Sequence, residues 1–214
     1  MHRLLRSRGA RAVTVPAVVG LVAVAAVVAT QAAAWAGSTL TVAYPVHGTT
    51  YLKAPSTAAS LGPGTLQATL NLKNGALTAS LTLPPAQVSF REFGLVPVSA
   101  TTEFIQAGPT TGKVNLSTGA VTSTSKIILK ITSLSVAGLP LPVGDSCESA
   151  TPAVITVTSQ PGFSVVSGGD LTGTYAVPAF AHCGPAGLLT SLINQSITGP
   201  GNTITLILGA GKTA

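Results

Sequence analysis

Residues 65 to 83 read TLQATLNLKNGALTASLTL, two runs of strict alternation on either side of Asn74-Gly75. Successive side chains of a strand point to opposite faces, so an apolar residue at every second position specifies a strand with one buried face. Asn-Gly is the strongest short hairpin signal, because a type I′ turn needs positive φ at both central residues. A two-residue turn there pairs Leu72 with Leu77, Leu70 with Ala79, Ala68 with Leu81 and Leu66 with Leu83. The opposite face carries Thr65, Gln67, Thr69 and Asn71 against Thr78, Ser80 and Thr82. A slip of one residue would put the whole apolar set into water, so the faces are well determined.

The same pattern runs through most of the chain. Residues 37 to 214 hold 27 threonines and 18 serines but only 12 charged residues, so strand faces are wetted by hydroxyls in place of charges. Threonine suits a pleated surface because its branched side chain packs well there. The expected fold is all-β, an antiparallel β-sandwich or rolled sheet with one short C-terminal helix. At 178 residues this part is long enough for a single domain that buries roughly 70% of its unfolded surface.

In chain order, alternation from Thr39 to Tyr44 stops at Pro45, a second short strand covers 49–53, and the Ser-, Pro- and Gly-rich stretch 54–64 reads as loop. Thr101 to Ala107 is a further strand. Asn71-Leu72-Lys73-Asn74-Gly75-Ala76-Leu77-Thr78 matches Asn115-Leu116-Ser117-Thr118-Gly119-Ala120-Val121-Thr122, which convergent hairpin chemistry explains as readily as duplication. The long strand from Val121 changes apolar parity after Ile131, predicting a bulge near Thr132 or Ser133. Leu139-Pro140-Leu141-Pro142 reads as an extended linker. Val154–Thr158, Leu171–Val177 and Thr203–Leu208 complete the strands. The helix begins at Pro185 and ends before Gly199-Pro200, with Leu188, Leu189, Leu192, Ile193 and Ile197 on one face and Thr190, Ser191, Asn194 and Gln195 opposite.

Residues 1 to 36 have the three parts of a secretory signal peptide. Arg3, Arg6, Arg8 and Arg11 form the basic head, Val13 to Ala29 the apolar run, and Ala34-Trp35-Ala36 the cleavage site. The run comes close to a spanning length, so a retained anchor is the alternative; the alanines and the cleavage site favour removal, and no retained membrane span is expected. Removal leaves 37–214 as a single secreted β domain, extracellular or cell-wall associated. Without the four head arginines, seven cations face five acids and the net charge falls from +6 to +2. With no basic cluster to track phosphates, nucleic acid is not an expected partner.

Cys147 and Cys183 are the only cysteines. In an exported chain they read as one disulfide. In the chain-entropy view, closing that loop of roughly 36 residues removes about 4 kcal/mol of denatured-state freedom. Thr172-Gly173-Thr174-Tyr175, Pro178, Phe180, Cys183, the leucine-rich helix and Gly199-Pro200-Gly201-Asn202-Thr203, with Cys147 and Thr151-Pro152 upstream, resemble the C-terminal signature of a family of secreted actinobacterial proteins to which no activity is assigned. The resemblance covers roughly residues 147 to 208 and implies a secreted β-rich domain with paired cysteines. It implies no reaction.

Catalytic chemistry finds little support. A hydrolase needs a nucleophile with a base in reach, and residues 37–214 offer only His47 and His182 and no G-x-S-x-G elbow. Asp145 and Glu148 flank Cys147 in one short loop, which seldom supplies both faces of a sugar site. Gly209-Ala210-Gly211-Lys212-Thr213 mimics the end of a phosphate loop, but the first glycine of that motif falls on Leu206. No metal site or cofactor is expected.

Three functions therefore stand as expectations. The leading one is a non-enzymatic extracellular or cell-wall-associated β protein that binds the wall or another surface protein. Phe90-Arg91-Glu92-Phe93 would be its interaction loop, although an ion pair beside two core-anchoring phenylalanines explains the same residues. The second is a carrier of a lipid or other apolar small molecule, held between a curved sheet and the helix bearing Leu188, Leu189, Leu192 and Ile193. The third is a hydrolase with an unfamiliar site. The space beneath the helix separates the first two: filled, it points to surface binding, and empty and apolar, to a ligand.

Overall fold

The computed structural model describes residues 38–213, so the secretory signal read in residues 1–36 lies outside the described residues. The domain is almost entirely antiparallel β structure. Its strands are β1 (Thr39–Leu52), β2 (Thr57–Asn71), β3 (Ala76–Thr82), β4 (Ala86–Glu92), β5 (Val96–Gln106), β6 (Thr110–Val114) and β7 (Val121–Val136). Then follow β8 (Leu139–Leu141), β9 (Glu148–Ser149), β10 (Ala153–Ser159), β11 (Gly169–Val177) and β12 (Phe180–Ala181). Helix α1 (Thr190–Ile197), β13 (Gly199–Leu208) and β14 (Lys212–Thr213) complete the chain. Among the described residues no helix is long and apolar enough to cross a membrane.

Between a sandwich and a rolled sheet, the chain takes neither in plain form: the sheet closes into a barrel. The ring runs β10-β11-β13-β1-β2-β3-β6-β7 and returns to β10, because Ser123 to Ile127 of β7 pair with Ala153 to Val157 of β10. Full closure removes the exposed edges that an open sheet of this length would carry. The second half of β7 leaves the ring and pairs with β5, which pairs with β4, so the β4–β5 hairpin extends one wall beyond the barrel. Gln106 seals the seam where β5 diverges from β3. Its Oε1 accepts the Leu81 N–H at 2.9 Å and its Nε2 donates to the Ala79 carbonyl at 3.1 Å, as a neighbouring strand would.

Several elements differ from expectation, each for a local reason. The Asn74-Gly75 hairpin has Leu70 opposite Leu77, Ala68 opposite Ala79 and Leu66 opposite Leu81, two residues away from the expected register. Only Gly75 has positive φ (73°), and its N–H donates to the Asn71 carbonyl, closing a four-residue loop in place of a type I′ turn. Since the shift is even, the strands keep their apolar face, but Leu72, expected inward opposite Leu77, falls in the loop and is 48% exposed. The matching octapeptide makes the same loop: Gly119 N–H donates to Asn115 O at 2.7 Å, and the Asn115 side chain accepts from Ser117 N–H as Asn71 does from Lys73 N–H.

Residues 57–64 are strand and not loop, paired with β1 through Ala58 to Leu61. Correspondingly β1 does not end at Pro45. It passes a bulge between Val46 and Gly48, where a Cβ on Gly48 would meet the Thr205 carbonyl oxygen of β13. Nor is Leu139-Pro140-Leu141 a linker. Ala137 and Gly138, with φ of 52° and 82°, turn the chain back so that Leu139 pairs with Val136. The parity change in β7 is a bulge at Thr132, since Thr101 faces Ser133 and Thr102 faces Ile131.

The helix also starts later than expected. Pro185–Gly187 is one 3-10 turn, and positive φ at Ala186 and Gly187 separates it from α1. Leu188 therefore lies outside the helix and is 78% exposed.

Candidate functional site

Beneath α1 lies an apolar chamber of about 260 Å³. One wall comes from the β4–β5 hairpin and the far half of β7, through Val88, Val98, Leu129, Ile131 and Leu134. The facing wall holds Thr50 and Leu52 of β1 with Tyr175 and Val177 of β11, and Leu192, Ile193, Ser196 and Ile197 of α1 form the roof. The space exists because three strands present alanine to it: Ala59, Ala86 and Ala100 line the chamber and are each no more than 8% exposed. Interiors are otherwise packed like organic crystals, so three short side chains converging on one region leave a void.

The roof is held by polar contacts that amphipathic reasoning placed on the solvent side. Asn194 Oδ1 accepts the Phe180 N–H at 2.7 Å and its Nδ2 donates to the Phe180 carbonyl at 3.1 Å, docking the helix on β12. Thr190 Oγ1 accepts the Cys183 N–H at 3.1 Å. Both residues thus face the protein, and the expected outward set is reduced to Ser191 and Gln195. Cys147 and Cys183 stand at disulfide distance, with Cα atoms 4.2 Å apart, fully buried in the same apolar cluster as Ile193, Phe180 and Ile131. The crosslink ties the segment that leads into the helix to the loop after β8.

Of the four helix residues singled out in the sequence, Leu192 and Ile193 line the chamber, Leu189 packs against the apolar cluster around the disulfide, and Leu188 does neither. Of the candidate loop, Phe90, Glu92 and Phe93 line the chamber. The segment is the end of β4 and the tip of a hairpin, where Arg91 turns outward and its Nη1 donates to the Leu95 carbonyl at 3.3 Å. Phe93 is not anchored in the core: it lines the chamber yet is 89% exposed, so it lies where the chamber meets solvent.

Polar groups on the wall are few. Among the described residues Glu92 is the one carboxylate on the wall, beside Phe93, and Tyr175 is the one phenol. Farther in, Thr50 Oγ1 stands 2.7 Å from the Tyr175 hydroxyl and 2.9 Å from the Thr203 carbonyl. Burial pushes the Tyr175 hydroxyl above the usual phenol range, opposed by its bond to Thr50, so it stays protonated. A smaller void of about 40 Å³ adjoins the chamber behind Thr50, Phe104, Leu129 and Tyr175.

His47, at the β1 bulge, and His182 are both exposed and neither borders the chamber, nor do Asp145 and Glu148. No group of three or more His, Cys, Asp or Glu among the described residues could hold a metal ion. Lys212 and Thr213, from the phosphate-loop mimic, form β14 against Val42 and Ala43. The sequence allows a space beneath the helix but does not show what opens it, because Ala59 falls in a stretch that reads as loop and alanines on three separate strands show no spacing that links them.

No protein-family model matches the chain, and neither a curated protein nor a solved structure matches it.

Proposed function

We propose that this is an exported protein that carries one apolar molecule in the chamber beneath α1, without catalysing a reaction on it. The observation that supports the reading is an apolar void of about 260 Å³ whose wall, among the described residues, carries one carboxylate, Glu92, and one phenol, Tyr175, that burial keeps neutral. An apolar cavity of roughly 150 Å³ stays dry and takes up benzene, so a larger one of the same character favours an apolar occupant over water. The chamber favours this reading over attachment to the wall or to a surface protein, which draws on no feature as well defined. The exposed Phe93 on the chamber wall offers an apolar step along which a chain can pass from a membrane or micelle. The export signal read in residues 1–36 and the buried disulfide support an activity outside the cytoplasm.

Native mass spectrometry of protein gently purified from cells that make it tests the reading. A discrete extra mass that is lost on denaturation supports it, and a ligand-free mass overturns it.

A further inference from the structure

Resting on the carrier reading, we infer that the chamber selects a neutral ligand that brings a hydrogen-bond donor, a long-chain alcohol in preference to a fatty-acid anion. The direction of the hydrogen bonds at Thr50 decides this. A carbonyl oxygen can only accept, so the single hydroxyl proton of Thr50 is committed to Thr203 O, 2.9 Å away. The Tyr175 hydroxyl, 2.7 Å from the same Thr50 oxygen, must then donate its own proton to it. With that proton used, the Tyr175 oxygen keeps only lone pairs for a ligand. Thr102, also on the wall, can donate or accept and so discriminates between nothing. Glu92 adds a second acceptor, and among the described residues no Lys, Arg or His borders the chamber. A carboxylate, which only accepts, meets the Tyr175 lone pairs and the like charge of Glu92; an alcohol donates the proton that the Tyr175 oxygen can accept.

The test is calorimetric titration of the mature protein with four probes of similar chain length: decane, decanol, octyl methyl ketone and, in mildly alkaline solution, sodium decanoate. Decanol binds about fivefold tighter than the ketone, the worth of one hydrogen bond of ordinary strength, and decanoate binds weakest of the polar probes. Thr50→Val, which keeps the side-chain shape, frees the Tyr175 proton, and the preference for alcohol over ketone disappears or inverts. A merely structural role for Thr50 would weaken all four probes together. Ketone or decanoate binding as tightly as decanol, or an unchanged alcohol-to-ketone ratio in the variant, overturns the inference. Equal binding of all four leaves the apolar chamber standing and removes only its polar selectivity, whereas failure of all four, decane included, removes the carrier reading as well.

Discussion

Asn194 holds both polar backbone groups of Phe180, accepting its N–H at 2.7 Å and donating to its carbonyl at 3.1 Å, so one side chain fixes the helix to the strand below it. Its position over the chamber makes this pair the hinge pin of the roof. Asn194→Ala leaves both Phe180 groups without that partner and destabilises the domain by about 1–3 kcal/mol. Chemical denaturation reads the loss. Amide exchange locates it, with faster exchange along residues 190–197 and little change in β1 or β13.

Crosslinking acts on the other end of the same roof. Cys147→Ser with Cys183→Ser lowers stability by about 2–5 kcal/mol, as loss of a native bridge does in domains of this kind. Urea unfolding of the oxidised and double-serine forms measures it. A change below half a kcal/mol would show that the bridge constrains little.

Asn202, 2% exposed, accepts the Lys53 N–H and donates to the carbonyls of Tyr175 and Gly199, joining β13 to β11 and to the turn after β1. Asn202→Leu orphans three backbone groups at once. The expected cost is about 3 kcal/mol or more, since each orphaned buried group costs about 1–3 kcal/mol. An isosteric Asn202→Asp sets a carboxylate against the two carbonyls and is at least as costly as leucine at neutral pH; thermal melts read both.

Tyr175 and Tyr44 both have hydroxyls pushed above the ordinary phenol value of 10.0 by burial. A folded-state value raised above the unfolded one means that the neutral form stabilises the fold. That contribution is complete below the unfolded value and is lost as pH rises through the folded one. Stability therefore stays level in these groups up to about pH 10 and falls beyond it. Tyr175→Phe removes part of the alkaline fall in denaturant midpoints and leaves the neutral range with a smaller, pH-independent change.

How far the sequence reveals this design follows from the range over which each feature acts. Faces are local: alternation in residues 65–83 and 203–208 identifies the inward leucines and isoleucines apart from Leu72, and the parity change after Ile131 locates the β7 bulge. Hairpin register is less local, because a two-residue and a four-residue turn at Asn74-Gly75 turn the same strand faces inward and differ mainly at Leu72, which the longer turn leaves exposed. Strands broken by Pro45 and Pro63 look like loops, since what makes them strands is pairing with partners far along the chain. Closure of the barrel is hidden for the same reason, as it needs β7 to meet β10. In the helix, hydrophobic periodicity puts Ile193 on the buried face and Leu192 beside the chamber, although Leu192 is 43% exposed. It places Asn194 on the wrong side, because a polar residue bonded to a strand looks like one bonded to water.

The most direct measurement compares the wild-type protein with Ala100→Leu, purified side by side from producing cells and weighed under native conditions. Leucine at this buried wall position occupies part of the roughly 260 Å³ space and, as cavity-filling changes commonly do, leaves stability equal or higher by about 0.5–2 kcal/mol. The account predicts a bound apolar molecule on the wild type and its absence from the equally stable variant. The same bound mass on both proteins, or on neither, would contradict it.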